Sequence, residues 1–317
     1  MSKEELKLLD KNVSYIIKSA LGAVDPQKIV AKNIFINNSG LSVGGILYKK
    51  TSIDKIHLVG FGKAVIAMAK GVIEQLGNIV AGGVLVAKHL DVDPGNFSEK
   101  FLLLKGDHPI PTQKSVHAAH EIVNYLSKVK ENDLVITLLS GGGSALVTLP
   151  KDPIQVEHLN ELTQSLLRSG ASIYELNCVR KHIDLIKGGG LLKNISPARS
   201  ISLILSDVIG DDLSVIASGP TSPDNLTFQD AVNVLKKYHL WKKTNNSIKE
   251  ILIAGLEGKQ PETIKEGDPI LKSTANKIIG SLSIAVSAAK QAAENLGYFV
   301  EISDLALSGE ARSVGRD

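Results

Sequence analysis

The feature that most constrains the fold of this chain is a set of short, continuous apolar runs, most of them separated by segments with helical periodicity. The runs cover residues 56–61, 83–87, 101–104, 134–139 and 201–206. Apolar runs without polar alternation are typical of strands that are buried on both faces of a parallel sheet. The pattern therefore predicts an α/β fold, a three-layer α/β/α, Rossmann-like domain with a mostly parallel sheet.

Apolar residues at three- and four-residue spacing predict the helices of this fold. The predicted helices cover residues 7–21, 63–76, 113–129, 156–167, 172–186 and 275–296. Residues 33–48 alternate around Asn38, Ser39 and Gly40, and this pattern predicts a hairpin. Residues 299–303 are predicted to be the first strand of another α/β unit, with a further helix beginning in residues 309–317.

The length of 317 residues is about twice that of a typical domain. We expect residues 1–50 to form an N-terminal helix and hairpin that pack on the second domain. Residues 51–240 are expected to form the Rossmann-like domain that carries the glycine loops, and residues 241–317 the start of a second, incomplete α/β domain.

The composition excludes several classes of protein. With 36 basic and 33 acidic residues the net charge is +3, and no long basic run occurs, so we expect no nucleic-acid partner. No apolar stretch approaches the ~20 residues that span a bilayer, and the charged N-terminus lacks the apolar segment of a secretory signal. The single cysteine, Cys178, excludes an internal disulfide framework and favours a cytoplasmic location.

Binding sites in open parallel sheets gather at the carboxyl ends of strands, so the residues after each apolar run are the candidates. Ser140, Gly141, Gly142, Gly143 and Ser144 directly follow the fourth run. Consecutive glycines let the backbone approach an anion closely, and their free amides form a concavity that binds phosphate. The spacing differs from that of a standard P-loop, and a flexible surface turn is the alternative interpretation.

Two further strand ends carry charged residues. Gly62 and Lys63 follow the first run, and a bound anion would offset the unfavourable interaction of Lys63 with the dipole of the next helix. A solvated lysine is the alternative. Asp207 follows the last run, where a carboxylate suits a general base for a hydroxyl or a magnesium ligand. The alternative for Asp207 is a capping role in a turn.

Basic residues cluster near a second glycine turn. This group comprises Asn177, Arg180, Lys181, Gly188 and Gly189. Arginine recognises carboxylate and phosphate with two parallel hydrogen bonds, but basic residues that favour the dipole at a helix C-terminus are the alternative. His108 lies in a proline-restricted turn, where it either contacts substrate or is fixed by the turn itself. No histidine spacing typical of a metal site and no GxSxG nucleophile motif occur, so the metal ligands are unassigned.

Six ordered motifs together resemble the glycerate 2-kinase family. They are GFGKA (60–64), GDHPIP (106–111), LLSGGGSAL (138–146), NCVRKHIDLIKGG (177–189), LSDVIG (205–210) and IASGPTSPD (216–224). The resemblance extends from the opening helix to the GEAR sequence at residues 309–312. It implies phosphorylation of D-glycerate at its 2-hydroxyl by ATP, with Mg²⁺, in a cleft between two α/β domains.

The resemblance also implies roles for the candidate residues. Lys63 would neutralise charge on the transferred phosphoryl group or on the glycerate carboxylate, and Asp207 would orient or deprotonate the 2-hydroxyl. The loop from Ser140 to Ser144 would hold phosphate. Arg180 and Lys181 would bind anionic groups. Phosphoryl transfer depends mainly on positioning and charge stabilisation, so these groups suffice without a covalent nucleophile.

The sequence departs from the family pattern in its last part. Family members continue into a domain with GGE, GGRNQE and GTDG motifs that contribute to the cleft, and none of these motifs occurs here, so we expect the second domain to be incomplete. A hydroxypyruvate reductase is a second hypothesis, although the GxGxxG motif of a dinucleotide site is missing. A binding or regulatory fragment without catalytic activity is a third. A homodimer is compatible with the sequence, which does not decide the oligomeric state.

Overall fold

The computed structural model describes residues 3–90, 97, 99–302 and 311–316 of the chain. The strands are β1 (Ile34–Asn37), β2 (Gly40–Val43), β3 (Ile46–Tyr48), β4 (Ile56–Phe61), β5 (Val80–Ala87), β6 (Phe101–Lys105), β7 (Leu134–Ser140), β8 (Arg199–Leu205) and β9 (Thr274–Gly280). The helices are α1 (Lys3–Ala23), α2 (Pro26–Lys32), α3 (Val65–Leu76), α4 (Gln113–Leu126), α5 (Gly143–Leu146), α6 (Val156–Arg168), α7 (Ile173–His182), α8 (Gly190–Ile195), α9 (Phe228–Lys237), α10 (Asn246–Leu256), α11 (Leu282–Asn295) and α12 (Ala311–Val314). Every helix within these ranges is too short or too polar to cross a bilayer.

The main sheet has the strand order β6-β5-β4-β7-β8-β9, and all neighbouring pairs in it are parallel. The predicted α/β class with a mostly parallel sheet is therefore confirmed. The chain builds one half of the sheet outward from β4 and the other half outward from β7. The boundary between β4 and β7 is thus a topological switch point, where the loops after the two strands diverge and leave a crevice.

Two hydrophobic clusters cover the two faces of this sheet. Leu58 and Val59, neighbours on β4, fall in different clusters because successive side chains of a strand point to opposite faces. Helix α3 and the small sheet β1–β3 pack with Leu58, whereas α4 and α8 pack with Val59. A third cluster lies among helices α6, α7, α9 and α10, which form a helical group outside the layers.

The predicted hairpin in residues 33–48 is present as β1 and β2, and β3 extends it into a three-stranded antiparallel sheet. We expected this N-terminal part to pack on a second domain. Helix α1 does pack against α11, which belongs to residues 241–317. The hairpin instead packs on the main sheet, because Leu41 and Val43 share a core cluster with Leu58 and Leu203.

The predicted boundary at residue 240 does not separate two sheets. Strand β9 pairs in parallel with β8 and forms the edge of the main sheet, although residues 275–296 were predicted to be one helix. The helical pattern is correct only for α11, which begins after Gly280. The predicted strand at residues 299–303 is not formed at residues 299–302, where Phe299 is 90% exposed, and residue 303 lies outside the described part. Of the predicted helix at residues 309–317, the described part contains α12.

Candidate active site

The carboxyl ends of four adjacent strands, β4, β7, β8 and β9, meet at a cavity of about 460 Å³. The residues that line it are Val24, Lys63, Ala64, Ser140, Gly141, Leu205, Ser206, Asp207, Val208, Ile209, Ser281, Leu282 and Ala285. The cavity lies at the β4/β7 switch point, the place where open α/β sheets bind their ligands. Of the sequence-predicted site residues, Lys63, Ser140, Gly141 and Asp207 line it together.

The turn between β4 and α3 is locked onto the end of β7. Gly62 has φ +143°, and a Cβ there would overlap Ser140. The Ala64 amide donates to the Ser140 hydroxyl at 3.1 Å, and the Lys63 amide donates to the Gly141 carbonyl at 2.9 Å. The backbone of Lys63 is therefore fixed while its side chain stays exposed in the cavity. Ser140 is a structural residue of this turn as well as a lining residue.

The glycine loop offers unused backbone donors. Gly142 has φ +84°, a left-handed conformation that favours glycine, and it precedes the short helix α5. The amides of the four residues from Gly141 to Ser144 donate to no acceptor within the described part of the chain. A turn with several free amides directed to one side is an anion-binding concavity. Phosphate binding by the loop therefore stays a prediction that the backbone geometry supports.

Asp207 places a carboxylate directly beside the first glycine of the loop. A Cβ added to Gly141 would lie 2.7 Å from Cγ of Asp207, so only a glycine leaves room for this carboxylate. The Asp207 side chain is exposed, and among the described lining residues it is the only carboxylate. The cavity thus has a cation after β4, the free Gly141 amide after β7 and a carboxylate after β8.

His108 covers the other side of the loop. A Cβ at Gly142 would lie 3.0 Å from Cδ2 of His108 and 3.2 Å from Cε of Lys63, so both side chains flank this glycine. Partial burial, together with the positive charges of Lys63 and Lys88, lowers the pKa of His108 below its usual 6.5, although Asp207 opposes this. The imidazole is therefore neutral at pH 7 and can donate or accept a hydrogen bond.

Ser144, Asn177 and Arg180 form a hydrogen-bonded network behind the loop. The Ser144 hydroxyl lies 2.6 Å from that of Ser218, which donates to Oδ1 of Asn177 at 2.9 Å. Nη2 of Arg180 donates to the Ser144 carbonyl at 3.1 Å. The structure places these three side chains outside the set that lines the cavity. The Ser144 hydroxyl is engaged with protein, so only its amide is available to a ligand.

Lys181, Gly188 and Gly189 are used internally rather than at the cavity. The Lys181 ammonium is 3.1 Å from Asp224, and both side chains are almost fully buried. The Gly188 amide donates to the Ser218 carbonyl, and the Gly189 amide donates to Gly219. We therefore interpret this region as a support for the turn at residues 217–219, with the charge of Lys181 neutralised by Asp224 and not available to an anion.

Two groups of site residues escaped the sequence analysis. Ser281 and Leu282 line the cavity after β9, and they were missed because that strand was read as helix. The Gly280-Ser281 pair, a glycine followed by a residue in N-cap position, was the signal for a strand-to-helix junction. Lys88 directly follows β5 and acts electrostatically on His108, and the strand-end rule applied to the second apolar run would have found it.

Comparison with known proteins places this arrangement in a family. Residues 12–253 match the family described as DUF4147, a domain of unknown function. The chain is 38% identical over 301 residues to a glycerate 2-kinase of Pyrococcus horikoshii, covering 95% of this chain and 66% of that protein. It is 35% identical over 308 residues to a D-glycerate 2-kinase of Thermotoga maritima, covering 97% of this chain and 67% of the relative.

A solved structure shows the same similarity to glycerate kinases. The crystal structure of a glycerate kinase from Thermotoga maritima superposes with a TM-score of 0.77 at 33% sequence identity, covering 92% of this chain and 64% of that one. The chain thus spans about two thirds of the length of the relatives that it matches. These identities extend over nearly all of the present sequence, and the chain belongs to the glycerate 2-kinase family.

Proposed function

We propose that the chain transfers the γ-phosphoryl group of ATP to the 2-hydroxyl of D-glycerate and forms 2-phosphoglycerate. The observation that carries the proposal is the meeting of Lys63, Gly141 and Asp207 at one cavity, where Gly141 begins the run of free loop amides. Phosphoryl transfer needs cations and N–H donors for the phosphoryl oxygens and a group that orients the nucleophile. These three elements of the site supply them, and the glycerate 2-kinase relatives agree with this chemistry.

The side chains and the loop amides have separate roles in the proposed reaction. Asp207 accepts the proton of the 2-hydroxyl while the hydroxyl oxygen forms a bond to the γ-phosphorus. At the same time, the bond between the γ-phosphorus and the oxygen that leaves with ADP breaks. Lys63 and the amides of Gly141, Gly142 and Gly143 stabilise the negative charge on the phosphoryl oxygens. Neutral His108, which flanks Gly142 beside Lys63, is placed to donate a hydrogen bond to the same group or to the glycerate carboxylate.

The donor set fits a nucleotide phosphate with Mg²⁺. Mg²⁺ is usually held by one or two carboxylates together with phosphate oxygens and water, so a cluster of protein ligands is not required. Within the described ranges no group of three metal-binding side chains occurs, and Asp207 is the one carboxylate among the described residues that line the cavity. Bound there, the ion would neutralise charge on the phosphate groups.

We further propose a cytoplasmic enzyme of small-molecule metabolism, in line with a sequence that has one cysteine, buried Cys178. A homodimer and the absence of nucleic-acid or membrane partners stay predictions of the sequence.

The test is an assay of ATP-dependent 2-phosphoglycerate formation by this chain. We expect Lys63→Ala to lower kcat by about 100-fold or more, because it removes a stabilising charge next to the transferred group. Lys128→Ala, at an exposed lysine outside the cavity, is the control and should leave kcat unchanged. Equal rates for wild type and Lys63→Ala would remove Lys63 from the mechanism.

Asp207→Asn separates the roles of this carboxylate. If Asp207 accepts the proton, kcat falls at all Mg²⁺ concentrations. If Asp207 is mainly a metal ligand, excess Mg²⁺ restores the rate and contradicts the proposed role. Binding of ATP and glycerate without turnover would favour a binding or regulatory fragment. Oxidation of NADH with hydroxypyruvate would favour the reductase.

A further inference from the structure

Arg180 is a buried cation without an ion-pair partner of its own. Its residue exposure is 9%, and no carboxylate lies within 4 Å of its guanidinium in the described part of the chain. Its Nε atom is buried and has no hydrogen-bond partner. Burial of a charge is costly unless a counter-charge or strong hydrogen bonds offset it. The arrangement of Arg180 therefore needs an explanation other than packing.

The acidic group that acts most on Arg180 is already neutralised. Asp184 lies 2.6 Å from the Lys187 ammonium and also accepts a hydrogen bond from Thr148, and all three side chains are buried. Burial alone would raise the pKa of Asp184, but Lys187 holds it below the usual value, so the carboxylate is ionised. The two cations and one anion of this buried group carry a net charge of +1.

A chain of hydrogen bonds connects this charge to the glycine loop. The Arg180 guanidinium donates to the Ser144 carbonyl at 3.1 Å. The amide of the same peptide group belongs to Ala145, and it donates to the Gly142 carbonyl at 3.1 Å. The amide that shares a peptide group with the Gly142 carbonyl belongs to Gly143. That amide is one of the free donors of the loop.

Polarisation along such a chain has a definite direction. Each donor withdraws electron density from the carbonyl oxygen that it contacts, and the N–H of the same peptide group becomes a stronger donor, by about 10–30% per bond. The guanidinium at the start of the chain is a full positive charge in a buried environment, where hydrogen bonds to charged groups are strongest. The chain ends at the Gly143 N–H, beside the glycine that Lys63 and His108 flank.

We infer that Arg180 is a positioning residue that shapes the glycine loop and strengthens the Gly143 amide as a donor to a phosphate group. The bound phosphate would be the counter-charge that the buried guanidinium lacks. This inference rests on the proposed binding of phosphate by the loop. It differs from the role implied by the family resemblance, because Arg180 acts through two peptide groups and does not itself touch the anion.

The contacts of Ser218 hold Ser144, and with it this chain of hydrogen bonds, in place. Ala217 and Ser218 have φ of +51° and +63°, a left-handed conformation that costs about 1–3 kcal/mol for a residue with a side chain. The surrounding structure holds the turn, because the Ser218 hydroxyl contacts both Ser144 and Asn177. Ser144 is thereby fixed at its side chain by Ser218 and at its carbonyl by Arg180.

The test uses inorganic phosphate as the probe and needs no turnover. In wild type, the Gly143 amide resonance should shift downfield on titration with phosphate. Arg180→Met should move this resonance upfield in the free protein and weaken phosphate binding by at least about tenfold, since a charged hydrogen bond is lost. Arg180→Lys retains the charge and should recover part of both effects.

Arg199→Met is the matched control. The Arg199 guanidinium also donates to a backbone carbonyl, that of Ser52, but at the amino end of β8. This variant should leave the Gly143 resonance and phosphate affinity unchanged. Unchanged phosphate affinity in Arg180→Met, or equal shifts of all loop amides as from a general distortion, would overturn the inference. A wild-type protein that binds no phosphate would also overturn the inference. Absence of glycerate phosphorylation alone would contradict only the proposed function.

Discussion

At the scale of single residues, the contact between Gly141 and Asp207 decides the shape of the cavity. An added Cβ would overlap the Asp207 carboxylate, which is the end of a short, exposed side chain and can rotate away. We therefore predict that Gly141→Ala displaces the carboxylate and lowers kcat by about tenfold or more, in the range for a misplaced general base. The thermal midpoint should change little, because Gly141 has an ordinary φ and no backbone atom is displaced.

Kinetics at saturating substrate and a thermal melt of the same preparation check this prediction. A large fall in the midpoint of Gly141→Ala would show that the loop itself, and not the carboxylate, had moved. A wild-type rate would show that the position of Asp207 is unimportant for turnover.

At the scale of secondary-structure elements, replacing a glycine by alanine should have opposite effects on stability in two helices. Gly71 of α3 lies against the backbone of α2, where a Cβ would overlap the Gln27 carbonyl oxygen and would lie 3.0 Å from Cβ of Val30. Gly22 of α1 has no neighbour within 4 Å of the same position. We predict that Gly71→Ala lowers the free energy of unfolding by about 1–3 kcal/mol through overpacking, whereas Gly22→Ala raises it by up to ~1 kcal/mol through helix propensity.

Chemical denaturation of the two variants measures both signs in one experiment. The same substitution in both helices removes the propensity gain as an explanation for any difference. Equal stabilisation by both would show that α2 can move away from α3 without cost.

At the scale of the whole molecule, His57 makes stability depend on pH. It is buried at the amino end of the sheet, where Nδ1 lies 2.8 Å from the Tyr125 hydroxyl and Nε2 lies 3.2 Å from Asp133. Burial lowers its pKa below the usual 6.5, although Asp133 opposes the shift. The unfolded chain therefore takes up a proton at a higher pH than the folded one, and the free energy of unfolding falls as the pH drops through 6.5.

We predict that this contribution disappears in His57→Gln. The variant should be destabilised relative to wild type at pH 7.5 and by a smaller amount at pH 5.5, as measured by urea denaturation at the two pH values. His120→Gln, at an exposed histidine on the same helix as Tyr125, is the surface control. A difference between wild type and His57→Gln that is the same at both pH values would contradict the assignment.

The strands and site residues that could be predicted share one property, which is that their signal is local. β4 and β7 are continuous apolar runs, and their ends carry Lys63 and the glycine loop directly in sequence. The edge strand β9 has only Ile278 and Ile279 as an apolar pair and was therefore merged with the helix that follows. The internal pairing of Lys181 depends on Asp224, a partner distant in sequence, and no local pattern indicates such a pair.

The switch point between β4 and β7 also determines the order in which β4 can pair with its two neighbours during synthesis. As the chain is synthesised, β4 emerges with Lys63 and can pair at first only with β5, because its other neighbour begins at Leu134. One edge of this central, fully buried strand is unpaired during that interval, and exposed strand edges are templates for aggregation. The topology that brings the cation and the glycine loop together thus leaves one edge of β4 open to pairing with other chains until β7 has been translated.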